Sequence, residues 1–198
     1  MGIQILTISA ALLFLLFGVT VINTDVTMQK KQEVKALLEL ANHDATFAIN
    51  QTLKTEGIID LVEDEAIGRF AKRMKQNGKY ELQGEQFIPS AQSVTTEPIA
   101  FLHYYVDFEH WQKDTYMVVS QEGKQLKLKQ VTQGIQLNPA GGYLYISLQE
   151  ENGQMVSLSP KRMVGPSLIA VAYIQDHPLA VFLPTHHFPV VSVEELKW

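Results

Sequence analysis

The apolar positions of this chain fall into three regimes. Residues 3–22, IQILTISAALLFLLFGVTVI, form an unbroken apolar run without a charge. At 1.5 Å per residue such a run spans about 30 Å, the thickness of a hydrocarbon core. Gln4, Thr7, Ser9 and Thr20 are its only polar side chains. Serine and threonine can bond their own helix backbone, so the run predicts a transmembrane helix. From residue 25 to 53 there is no proline or glycine, and apolar or small residues recur at Val34, Leu38, Ala41, Ala45, Ala48 and Thr52. Those steps of three and four predict that the helix continues, now amphipathic, to Leu53, with Gly57 as its terminator. Val34, Leu38, Ala41, Ala45, Ala48 and Leu53 are expected to hold it against a head. Ile5, Ile8, Leu12, Leu15, Val19 and Ile22 are expected to pack against other helices.

Residues 58–78 predict a second helix. Asp60, Glu63, Asp64 and Glu65 come early and Arg69, Lys72, Arg73 and Lys75 late, which suits the helix dipole. Ile67, Phe70, Ala71 and Met74 form its stripe, and Gly78 is the expected cap. The period then changes to two. Short strands are expected around Tyr80, Leu82, Phe87 and Ile88, and an exposed loop over residues 90–98. Clearer strands follow at 100–108, 115–121, 125–131, 143–148 and 155–158, with tight turns at Glu122-Gly123 and Glu151-Asn152-Gly153. The last third, at 168–174, 179–183 and 190–193, is apolar but cut into short strands by prolines. The expected fold is α+β: a long N-terminal helix, transmembrane then amphipathic, a second short helix, and a mainly antiparallel β head of seven to nine strands. The divisions are 1–23 anchor, 24–56 helix continuation and 57–198 head.

Only Met1 and Gly2 precede the apolar run, and residues 23–26 offer no small-x-small cleavage site, so a retained anchor is expected rather than a removed signal. After it, about 175 residues suffice for one domain burying about 70% of its unfolded surface. Charged residues are 19% of the chain and the net charge is −5, which argues against a nucleic-acid partner. With no cysteine there is no disulfide framework, thiol nucleophile or cysteine-ligated metal. Lys30, Lys31 and Lys35 follow the span, which on the positive-inside rule favours a cytoplasmic head, although long domains translocate largely regardless of charge.

His103, Asp107 and Glu109 share one face of an expected strand, opposite Tyr104, Val106 and Phe108. Spaced by two and four, they would stand about 7 and 13 Å apart, too far for one ion, and the expectation is a solvated polar face. His186-His187, between Pro184 and Pro189, is expected in a loop with no companion ligand. No phosphate loop, dinucleotide fingerprint, zinc-protease motif or nucleophile elbow occurs. No catalytic residue, metal, cofactor or small-molecule substrate is expected.

A lipid-like half-helix running into an amphipathic half, with QEVKALLELANHDATFA at residues 32–48, resembles type IV pilin-like proteins and among them the TadE/TadG-like minor pilins. The resemblance covers roughly the first 55 residues. Major type IV pilins carry a glutamate at the fifth position and a basic leader; this chain shows neither, so the resemblance implies a minor or pilin-like subunit. It further implies a non-enzymatic structural protein of a surface filament or its assembly machine, with its head outside the membrane. Partners would be copies of itself or other pilin-like subunits, and lipid before assembly. The alternative is a bitopic component of a secretion, conjugation or envelope complex whose head binds a partner protein.

Overall fold

The computed structural model describes residues 2–178, 180, 182–183 and 185–196. Helix α1 (Gly2–Ala45) is a single uninterrupted helix of 44 residues, about 66 Å long. It stops short of the expected Leu53. Thr46 folds its hydroxyl onto the His43 carbonyl at 2.7 Å. Ile49 then pairs with Leu61 in an isolated bridge, supported by Asn50 N–H donating to the Asp60 carbonyl and Val62 N–H to Ala48. Asn50 caps a separate one-turn helix, α2 (Gln51–Thr55), its side-chain oxygen accepting from the N–H groups of Thr52 and Leu53. The helix therefore ends because residues 46–50 gain cross-chain bonds that helix continuation would forbid. Ala48 is fully buried off the helix, and Leu53 lies half-buried on α2, outside the core.

Helix α3 (Glu63–Gly78) starts five residues later than the periodicity predicts, because 58–62 are drawn into this bridge. Its buried positions are Ala66, Phe70, Met74 and Gly78, a spacing of four, while Ile67 stays on the rim. Gly78 is the last helical residue rather than the cap. A Cβ there would collide with the side chains of Leu37 and Tyr80. The left-handed position falls on Lys79, φ 60°.

The head holds ten strands among the described residues: β1 (Tyr80–Gln83), β2 (Gln86–Pro89), β3 (Ile99–Val106), β4 (Lys113–Glu122), β5 (Gln125–Leu137), β6 (Tyr143–Gln149), β7 (Met155–Ser157), β8 (Lys161–Arg162), β9 (Ser167–Asp176) and β10 (His186–Glu195). They form two sheets, ordered β1-β2-β3-β9-β10 and β5-β4-β6-β7, with β8 on β6. Pairing is antiparallel except between β4 and β6, which run parallel. The expected turns close β4–β5 at Gly123 (φ 61°) and β6–β7 at Gly153 (φ 82°). Of the strand expected at 179–183, residues 180, 182 and 183 are turn and bend, and 179 and 181 lie outside the described residues. His186 and His187 open β10 rather than sit in a loop. Pro189 is accommodated there because β10 is an edge strand.

The layers are helices, first sheet, second sheet. Alternate residues of β9 divide between two cores. Leu168, Ala170, Ala172 and Ile174 meet α1 and α3, and Ile169, Val171 and Tyr173 meet the second sheet. Strand β3 likewise gives Ile99 and Phe101 to the helices and Ala100 and Val106 to the second sheet. A strand in a middle layer has no wet face, and the polar face expected for His103 is not there. Its imidazole packs edge-on to Phe70, ring centres 4.3 Å apart, and to Phe101 at 5.3 Å. Asp107 and Glu109 lie beyond the strand end, where Asp107 Oδ1 accepts from Glu109 N–H at 3.0 Å and lies 2.5 Å from His110 Nδ1.

Candidate functional site: a bare apolar helix fixed to the head

Two halves of α1 have opposite surroundings. In the lower half the hydroxyls of Thr7 and Thr20 each donate to the carbonyl four residues back, at 2.9 Å, which makes them compatible with lipid. The head covers none of the most apolar window. Of the residues expected to face other helices, Ile5, Ile8, Leu12, Leu15 and Ile22 are 56–64% exposed, and Val19 is half-buried. At about 3.6 residues per turn, Ile5, Ile8, Leu12, Leu15 and Val19 continue the side of the helix that the head covers higher up. Ile22 lies at the margin of that side. Ile3, Ala10, Phe14, Phe17 and Val21 occupy the other side. An exposed apolar cylinder of this size needs lipid or neighbouring helices.

The head takes hold at Asn23, one residue past the apolar run. Asn23 Nδ2 lies 2.8 Å from His186 Nε2, and Thr27 turns its hydroxyl back to the Asn23 carbonyl. Lys30 reaches Asp176 at 2.7 Å, and the Lys31 ammonium sits 5.7 Å from the centre of the Phe188 ring. Asp176 is only 3% exposed, so Lys30 supplies the charge a buried carboxylate requires. This lower, polar part of the seam was not visible in the apolar periodicity; its signal is the spacing Asn23, Thr27, Lys30.

Above it the seam is apolar and close. Val34, Leu38, Ala41 and Ala45 are completely buried, as their spacing predicts, and they face the alanines of β9 within one core. Small residues on both sides let helix and sheet approach. Asn42 lies inside this contact and donates to the Leu168 carbonyl at 2.9 Å and to Ser192 Oγ at 3.1 Å. An ion pair and a hydrogen bond flank the end of α1: Asp44 pairs with Arg73 at 3.1 Å, and His43 Nδ1 lies 3.4 Å from Glu194 Oε2. The polar contacts fix the axial register, since a slide of one helical turn would strand Asn42 and Asp176 without partners.

Among the described residues no group of three histidine or acidic side chains is placed to hold a metal ion. The outer face of the second sheet carries Tyr116 and Tyr145, stacked 4.8 Å apart, with Tyr143 beside Tyr145. No family model, curated protein or solved structure matches the chain. The structure contains a helix long and apolar enough to cross a membrane, compatible with a single-pass membrane protein.

Proposed function

We propose that this chain is a non-enzymatic, pilin-like structural subunit, held in the membrane by residues 3–22 with its head outside. It joins a surface filament, or the machine that assembles one, by moving that segment from lipid into a bundle of like helices. One observation carries the reading: a single uninterrupted helix is charge-free and bare over a bilayer's thickness, then held to a β head by a buried seam. A segment apolar on every side is at home in lipid and equally in a bundle, where close packing replaces lipid contact. The locked seam transmits the helix's position in that bundle to the head. Copies of the chain or related subunits are the partners, and no cofactor enters.

The exposed tyrosine face of the second sheet supports a second reading, a tethered component whose head binds a partner protein while its helix stays in the bilayer. Stacked tyrosines offer rigid contact area of the kind found at interfaces.

Shearing intact cells, pelleting the released material without detergent, and taking the chain's mass there separates the two. Recovery in sheared filaments supports the subunit. Retention in membranes at full mass overturns the filament subunit in favour of the tether.

A further inference from the structure

The seam fixes which end of the head faces the apolar span. Asn23 lies 2.8 Å from His186, Asn42 donates to Ser192 Oγ at 3.1 Å and His43 lies 3.4 Å from Glu194. Strand β10 therefore climbs beside α1 in the same direction, about 26 Å over 186–194 against about 30 Å over 23–43. Strand β9 descends, from Leu168 at Asn42 to Asp176 at Lys30. The loop that joins them, residues 177–185, consequently lies at the foot of the head, where the span begins. Val19, one turn below Asn23 on the same side, is half-buried, while every other residue of 3–22 is exposed.

The loop is apolar. Residues 178–184 read PLAVFLP, without one polar side chain. Phe182 stands in a turn with 64% of its surface exposed, and Leu183 is half-buried. The Leu183 N–H donates to the Ala180 carbonyl at 3.0 Å, and the two prolines bring no N–H. Neighbouring turns at this end are charged, with Glu97 lying 3.2 Å from His177 and 3.6 Å from Lys124, and belong in water.

We propose that residues 178–184 are a second membrane contact of the head, with Phe182 entering the boundary between lipid headgroups and acyl chains beside the span. The contact presupposes, as the proposed function does, that residues 3–22 lie in lipid. A lone exposed phenylalanine is ordinary on a protein surface. On an apolar loop next to the start of a lipid-spanning segment, it has lipid within reach. One turn below Asn23 is about 6 Å, and amphipathic elements settle about 5–10 Å into that boundary. Deeper entry is closed to the loop, because non-helical backbone is not tolerated facing the hydrocarbon. Span and loop together hold the head at two points and restrain its rocking on the bilayer.

The full chain in lipid nanodiscs provides the test. It has no cysteine, so F182C, F108C and L12C can each carry one environment-sensitive fluorophore. Phe108 is 59% exposed just past Val106, which pairs with Ser167 at the far end of β9, and serves as the control; Leu12 reports the span. Lipids brominated on their acyl chains, which quench by contact, are expected to remove most of the emission at 182 and 12 and none at 108. Iodide in solution is expected to quench at 108 and not at 182. No loss at 182 while 12 is quenched overturns the loop contact and leaves the span in place. Equal loss at 182 and 108 overturns it too, since contact would then not be specific to the loop. No loss at 12 overturns the span and the loop contact with it.

Discussion

Lys30 on the long helix meets Asp176 at the end of β9 with 2.7 Å between Nζ and Oδ1, although 146 residues separate them. The pair lies in the polar part of the seam, just above the Asn23 contact with His186. Lys30 is about a quarter exposed and Asp176 nearly buried, so removing the cation leaves a carboxylate in a poorly solvated place. K30M is expected to lose about 2 kcal/mol, lowering the thermal midpoint by roughly 4–8 °C. K30M/D176L, which leaves no unpaired charge, is expected to recover much of it. Thermal melts of the three proteins check this; a midpoint unchanged in K30M refutes the seam's polar half.

The close approach of α1 to the sheet makes a steric prediction. Ala41 has no free surface and faces a core that includes Ala170 and Ala172. A41L is expected to cost about 1–3 kcal/mol by overpacking. Leu40, one residue away, is 42% exposed, and L40A is expected to change stability by less than about 0.5 kcal/mol. Equal effects would mean that the helix face is misassigned.

Much of this was legible because it is local. Charge-free length gives the span, a three-four spacing gives Val34 to Ala45, and glycine turns give the β4–β5 and β6–β7 hairpins. What was not legible depends on distant pairing. The helix stops at Ala45 because Ile49 meets Leu61, and the local hints were Thr46 and Asn50, residue types that bond backbone as readily as they continue a helix. His103 was expected in water because alternation in a strand implies one wet face. That inference fails for β3, because the face carrying His103 is covered by helix α3 through Phe70, while the second sheet covers the opposite face with Ala100 and Val106.

Acid should weaken the head through His103. The unfolded chain titrates this imidazole near 6.5 and the folded one near 4. Between those values the unfolded state takes up a proton that the folded state refuses, so the contribution is complete above about pH 6.5 and is lost as pH falls toward 4. The difference amounts to about 3 kcal/mol. Glu63 and Tyr105 line a pocket with His103 between α3 and β3, with Asp60 and Asp107 acting on Tyr105, and those groups are common to wild type and H103F. Comparing the two therefore isolates the imidazole. H103F should be at least as stable at pH 7 and markedly less sensitive to pH between 6.5 and 4. Parallel pH profiles would place His103 in water.

The central claim is that residues 3–22 leave lipid for a bundle of like helices while the head stays locked to residues 23–45. The chain has no cysteine of its own, so single cysteines report contacts cleanly. The decisive measurement is oxidative cross-linking in sheared, detergent-free material, with a cysteine replacing Ile8, Leu12 or Leu15 in turn and Met28, an exposed residue above the span, as the control. The account predicts covalent dimers from positions within the span and none from Met28. No dimers at any span position, or dimers as abundant at Met28, would contradict it.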